Sequence, residues 1–134
     1  MTSAALELPE LSFPLGLPGF GHLRRFALVH WGPEDSPYAR LVSLDDPAVA
    51  FLVAPPEAFF DGYDVPLGNE DAALLRLDDA ADALVLVLIT VGEKVEEATA
   101  NLLGPLVLNT RERLGLQVVL NDAERSTRVP LRAA

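Results

Sequence analysis

The stretch Ala98-Thr99-Ala100-Asn101-Leu102-Leu103-Gly104-Pro105-Leu106-Val107-Leu108-Asn109 is followed, after a short basic turn, by Gly115-Leu116-Gln117-Val118-Val119-Leu120. It reads as two apolar strands joined by a tight connection, and it carries side-chain amides but no nucleophile, metal cluster or phosphate loop. That combination suits a binding scaffold. Upstream, Ala83-Leu84-Val85-Leu86-Val87-Leu88-Ile89-Thr90-Val91 is rich in β-branched residues and stopped by Gly92, which predicts a strand buried on both faces at the centre of the sheet. The run is far shorter than the roughly 20 residues a membrane helix needs. Phe26 to Trp31 reads as another strand, and Tyr38–Leu44 with Val49–Val53 reads as an antiparallel hairpin across Asp45-Asp46-Pro47.

Eleven prolines and nine glycines cut the rest into short pieces, which favours strands and turns over a helical bundle. Phe13-Pro14-Leu15-Gly16-Leu17-Pro18-Gly19-Phe20 is a turn flanked by aromatic anchors, because Pro18 has no amide to donate and Gly19 invites positive φ. Two short helices are expected. One starts at Pro55-Pro56-Glu57 and runs through Phe59-Phe60. The other is capped by Asn69 and runs from Glu70 to Leu77, with Leu74 and Leu77 on roughly one face. The expected fold is mainly β: one compact antiparallel domain over residues 1–134, with a few short helices and fraying at 1–8 and 132–134.

The chain has no cysteine, which excludes disulfides, thiolate chemistry and cysteine-bound metal and suits a reducing cytosol. Its first residues lack the basic and apolar segments of a signal peptide. The net charge is −10, and most of the excess lies between residues 57 and 82, where eight acids face Arg76 alone. Such a surface repels phosphate backbones and anionic lipid, so direct nucleic-acid or membrane binding is not expected. It either steers a basic protein toward the acidic side or serves as a solvated, solubilising face.

No constellation assembles chemistry. Gly16, Gly19 and Gly21 run in the wrong order for a dinucleotide loop and enclose Pro18, and Lys94 is the only lysine. His22 and His30 lack a metal-ligand spacing, so neither metal nor cofactor is expected. Adjacent residues such as Asp78 and Asp79 do not face each other on a helix and point to opposite sides of a strand, which argues against a shared-proton dyad. Ser126 and Thr127, between Arg125 and Arg128, have no base identified beside them and read as structural or recognition-bearing. Asn101, Asn109 and Gln117 pin turns and backbone, or else contact a ligand. Phe59, Phe60, Tyr63 and Trp31 are core or edge aromatics, or the wall of a peptide groove.

Taken in order, the F-P-x-G-L-P-G-F turn with Leu17, Pro18, Gly19 and Phe20, Asp46-Pro47 followed by Ala50-Phe51, Ala100-Asn101-Leu102, Pro105, Asn109, Gly115, Gln117-Val118-Val119-Leu120 and Ser126-Thr127-Arg128 resemble the flagellar assembly factor FliW family. The resemblance runs from about residue 13 to Leu131. The chain departs from the family pattern at Val42, Pro55, Gly104 and Val129. The resemblance implies a cytoplasmic, largely antiparallel protein with a barrel-like core and no catalysis. It also implies two partners: flagellin awaiting export, and the RNA-binding translational repressor CsrA, which such proteins hold off the flagellin message. On that reading Asp61, Asp64, Glu70, Asp71, Asp78, Asp79 and Asp82 form the face toward the basic repressor, with Phe59 and Phe60 beside it as apolar contacts. A non-enzymatic β-barrel adaptor or secretion chaperone with a different partner fits the composition equally well.

Overall fold

The computed structural model describes residues 7–17, 19–91, 97–120 and 127–131. Its strands are β1 (Leu8–Ser12), β2 (Arg25–His30), β3 (Ala39–Ser43), β4 (Ala50–Ala54), β5 (Ala83–Thr90), β6 (Thr99–Ala100), β7 (Leu106–Asn109), β8 (Leu114–Gln117) and β9 (Val129–Pro130). The helix α1 spans Asn69–Leu74, and single 3₁₀ turns lie at Pro56–Ala58 and Ala80–Asp82. The strands run β4-β3-β2-β1-β8-β7-β5, and β5 pairs again with β4 through Leu52↔Ile89, Val53↔Leu88 and Ala54↔Val87. The sheet is therefore a closed barrel of seven strands, and β6 and β9 extend outward from β5. Closure leaves no open edge among the seven barrel strands.

Alternation along each strand sorts the apolar residues into an interior and an outer wall. Phe26 and Leu28 of β2, Leu41 of β3, Val53 of β4, Leu86 of β5 and Leu106 and Leu108 of β7 meet Leu11 and Phe13 inside the barrel. On the outside, Ala54, Val87 and Ile89 pack with Ala98, Ala100 and Leu131 under Tyr38, Phe59, Phe60 and Tyr63. A second outer cluster joins Val107, Leu116 and Val118 to Leu75, which follows α1. These two coverings explain why β5 and β7 read as continuous apolar runs: both faces of each are occupied.

Among the described residues, all strand pairings are antiparallel except one. Ser12 of β1 lies parallel to Leu114 of β8, and its amide donates to the Arg113 carbonyl at 2.9 Å. Position 115, which follows on β8, points into the barrel, and Phe13 fills the space a side chain there would take. A Cβ built on Gly115 lies 2.7 Å from Cε1 and Cε2 of Phe13. The Phe13 ring, wholly buried, also meets Phe26 edge-on at 5.2 Å between centroids.

Several expectations need correction. Ala98–Asn109 is two strands, β6 and β7, because the Asn101 side chain turns the chain by accepting from the amides of Leu103 (3.0 Å) and Gly104 (2.8 Å). β8 stops at Gln117, although Val118 and Leu120 still donate to the carbonyls of Pro105 and Leu103. Asn69 is the first residue of α1 and does not cap it; Gly68 holds the cap position without a side-chain hydrogen bond. The helix ends at Leu74, which is 40% exposed, while Leu75 is wholly buried. At the start of the chain, Leu8 pairs with Leu28 in β1. Residues 1–6, Pro18, the 92–96 segment with Gly92 and Lys94, Ser126 with Arg125, and residues 132–134 lie outside the described residues.

The contact between Phe13 and position 115 makes a quantitative prediction. Gly115→Ala should destabilise the chain by about 1–3 kcal/mol in urea unfolding, because the methyl forces the ring to shift. In a Phe13→Leu background the same change should cost clearly less. An equal cost in both backgrounds would show that the ring is not what Gly115 accommodates.

Candidate protein-docking surface

The F-P-x-G-L-P-G-F turn leaves the barrel directly after Phe13. Gly16, at φ +65°, donates to the Phe13 carbonyl at 2.9 Å, and a Cβ on it would lie 2.7 Å from the Gly21 Cα. Glycine is required there by both conformation and space. Phe20 donates to the Leu17 carbonyl at 2.7 Å and stacks edge-on with Phe51 at 5.5 Å. With Phe13 and Leu17 buried, the intervening Leu15 is turned outward and is 60% exposed.

Beside it stands α1. The helix is too short to hold itself, and its position is set from the barrel. Asn109, the buried last residue of β7, donates through Nδ2 to the carbonyls of Leu75 (2.7 Å) and Arg76 (3.1 Å). Its Oδ1 accepts from the amides of Arg111 and Glu112. Arg76 adopts φ +53°, which ends the helix and drops Leu75 onto the outer wall, leaving Leu74 pointing away. Glu70 and Asp71 occupy the first helical turn, where the helix dipole favours carboxylates.

Leu15, Leu74 and Ala73 thereby floor a groove of about 590 Å³ walled by Glu70 and Asp71. On the far side of Ala73 a second hollow of about 500 Å³ is lined by Arg76, Leu77, Asp78 and Glu112. Among the described residues, no arginine or lysine pairs with Glu70, Asp71 or Asp78; Arg25 pairs instead with Asp45 (3.2 Å) and Glu10 (3.9 Å).

The other acids of the 57–82 stretch are distributed around this centre. Asp61 and Asp64 are exposed on the segment leading to α1. Asp79 is exposed but also structural, capping the Ala80–Asp82 turn by accepting from the Ala81 amide at 2.9 Å. Asp82 is half-buried, and its carbonyl accepts from the amide and hydroxyl of Thr110. Phe59 and Phe60 are half-buried lids of the outer cluster over β4 and β5, with Phe59 stacked on Tyr38 at 5.8 Å. They belong to a different sector of the wall from Leu15 and Leu74.

The remaining motif residues hold the scaffold. Asp46 Oδ1 accepts from the Ala48 amide across Pro47, and the buried Ser43 hydroxyl accepts from the amides of Asp45 and Asp46. Asp45 accepts from the amides of Arg24 and Arg25 and from the Arg25 guanidinium, and these donors hold its carboxyl below the usual range. Gln117 Nε2 donates to the Gly104 carbonyl at 2.8 Å, immediately before Pro105. Asn101, Asn109 and Gln117 thus pin backbone. Thr127 and Arg128 line a cavity of about 450 Å³ with Asn101 and residues of β4 and β5. His30 Nε2 lies 3.0 Å from the Ser36 carbonyl, and among the described residues no group of three or more His, Asp or Glu side chains could hold a metal. No described helix is long and apolar enough to cross a membrane. Leu15 and Leu74 were not legible as surface contacts, since an apolar residue in a turn or helix reads first as core.

Asn109→Ala should lower stability by about 2–3 kcal/mol, because it strips two carbonyls and two amides of their partner. Hydrogen exchange should speed up most at Asn69–Arg76, ahead of the barrel strands. Exchange that rises evenly over the whole chain would contradict this seating of α1.

Comparison with known proteins adds a family to this geometry. A family model described as "FliW protein" matches residues 3–131. The chain is 38% identical over 125 residues to the flagellar assembly factor FliW of Bacillus licheniformis, covering 93% of this chain and 87% of that one. It is 40% identical to the Moorella thermoacetica protein of the same name, over 88% of this chain and 75% of that protein. A crystal structure of the flagellar assembly factor FliW superposes with a TM-score of 0.86 at 30% identity, covering 92% of this chain and 85% of its own.

Proposed function

The chain belongs to the FliW family of flagellar assembly factors, and from that premise we propose that it is a cytoplasmic, non-catalytic switch between two protein partners. In this reading it binds flagellin before export and, when flagellin is scarce, binds a CsrA-type translational repressor and keeps it off the flagellin message. The observation that carries the reading is the set of carboxylates around α1 with no described cation pairing them. An RNA-binding repressor needs basic surface to hold phosphates. An acidic protein docked against that surface attracts it and raises the cost of bringing RNA alongside. Asp61, Asp64, Glu70, Asp71, Asp78, Asp79 and Asp82 contribute to this field, and no covalent step is required.

Flagellin makes a different demand. An export-competent chain presents apolar segments, which an exposed apolar surface can take up. Abundant flagellin then occupies the protein and leaves the repressor free to act; export reverses the balance.

The test is a pull-down with the tagged chain from its native cytosol, with flagellin present and absent. Flagellin and the repressor should be recovered in inverse proportion. Repressor recovery that ignores flagellin, or recovery of neither, would contradict the reading.

A further inference from the structure

We infer that the groove between Leu15 and α1 is the seat of a short cationic segment of the RNA-binding partner, whose apolar side chains rest on Leu15, Ala73 and Leu74 while its lysines or arginines meet Glu70 and Asp71. The inference rests on the function proposed above and narrows it from a diffuse acidic face to five residues.

Charge separates this groove from two other places where a protein partner could dock. The outer face of β2 and β3 exposes Val29 (42%) and Trp31 (49%), but Arg40, paired opposite Val29, stands on the same face, so a cationic partner is opposed there. The cavity over β4 and β5 has no carboxylate in its lining to meet a basic segment. Unlike them, the groove at α1 combines exposed leucines with carboxylates and no cation in its lining. Its two leucines come from separate elements, the glycine turn and the helix, each fixed from beneath by a buried neighbour: Phe13 and Leu17 in one case, Leu75 in the other. A preformed apolar floor with a charged wall favours binding because little ordering remains to be done. It takes lysine- or arginine-bearing amphipathic chains and rejects acidic ones.

The test is calorimetric binding of the full chain to the CsrA-type repressor and, separately, to flagellin. Two groove variants, Leu15→Ser with Leu74→Ser and Glu70→Gln with Asp71→Asn, should each weaken repressor binding about tenfold or more. Glu34→Gln with Asp35→Asn makes the same charge change as the second variant at the opposite end of β2 from the glycine turn. It should weaken binding by less than about threefold, the effect of long-range field alone. Groove variants that bind the repressor no worse than this control overturn the inference and leave the proposed function standing. Loss of flagellin binding with repressor binding intact also overturns it, by giving the groove to flagellin. A self-associating chain that becomes monomeric in the groove variants overturns it in favour of a second copy. If the unaltered chain does not bind the repressor, the proposed function itself fails and the inference with it. Hydrogen exchange on the unaltered chain checks the same point without relying on variants that fold: repressor should protect residues 15–17 and 70–75, and protection elsewhere alone would overturn the assignment.

Discussion

The Phe13 ring over the bare backbone of Gly115 is the contact on which the rest of the molecule depends. It stands beside the one parallel junction among the described strands, Ser12 with Leu114, which joins β1 to β8 within the barrel. A side chain at position 115 would hold the ring away, and without the ring the interior would lack the side chain that fills the space over Gly115 and meets Phe26 edge-on. The same residue launches the glycine turn outward. The exposure of Leu15 is therefore a consequence of how the barrel is sealed: one position before Gly16 and two beyond a buried anchor, it has nowhere inside to go.

The outer wall follows a similar logic. Seven strands enclose an apolar interior, yet β5 and β7 remain apolar on their outward faces and need cover. Tyr38, Phe59, Phe60 and Tyr63 cover one sector, with the Tyr63 hydroxyl anchored on the Leu102 carbonyl at 2.6 Å. Leu75 and the chain around it cover another. Because α1 is only six residues long, its hold on the barrel comes from Asn109, whose four hydrogen bonds tie β7 to both the helix end and the following turn. The helix then carries carboxylates where they stabilise its first turn and where they meet solvent, so structure and surface charge are served by the same residues.

Much of this was legible in the chain. The β-branched run at Ala83–Thr90 and the Asp46-Pro47 hairpin announce themselves by periodicity and turn chemistry, and both stand where expected. The amides at Asn101, Asn109 and Gln117 were readable as backbone pins because an amide in or beside an apolar strand must find partners for its donors and acceptor. The break at 101–105 was hidden because apolar residues continue through it; only the Asn101 side chain and the missing amide of Pro105 betray the turn. The choice of Leu75 over Leu74 as the buried leucine depends on a left-handed residue at Arg76 held by a partner 33 positions away. Local propensity carries no trace of such a contact. The parallel junction is invisible for the same reason, since it joins Ser12 to Leu114.

What unites these features is a closed barrel with an acidic flank at α1, and in the function proposed above that flank attracts a basic partner. The most direct measurement is the association rate of the chain with a CsrA-type repressor as ionic strength is raised. The account predicts a steep fall as salt shortens the range of the field to about 8 Å near physiological strength, with a shallower slope once Glu70 and Asp71 are neutralised. A rate indifferent to salt, in the unaltered chain, would contradict it.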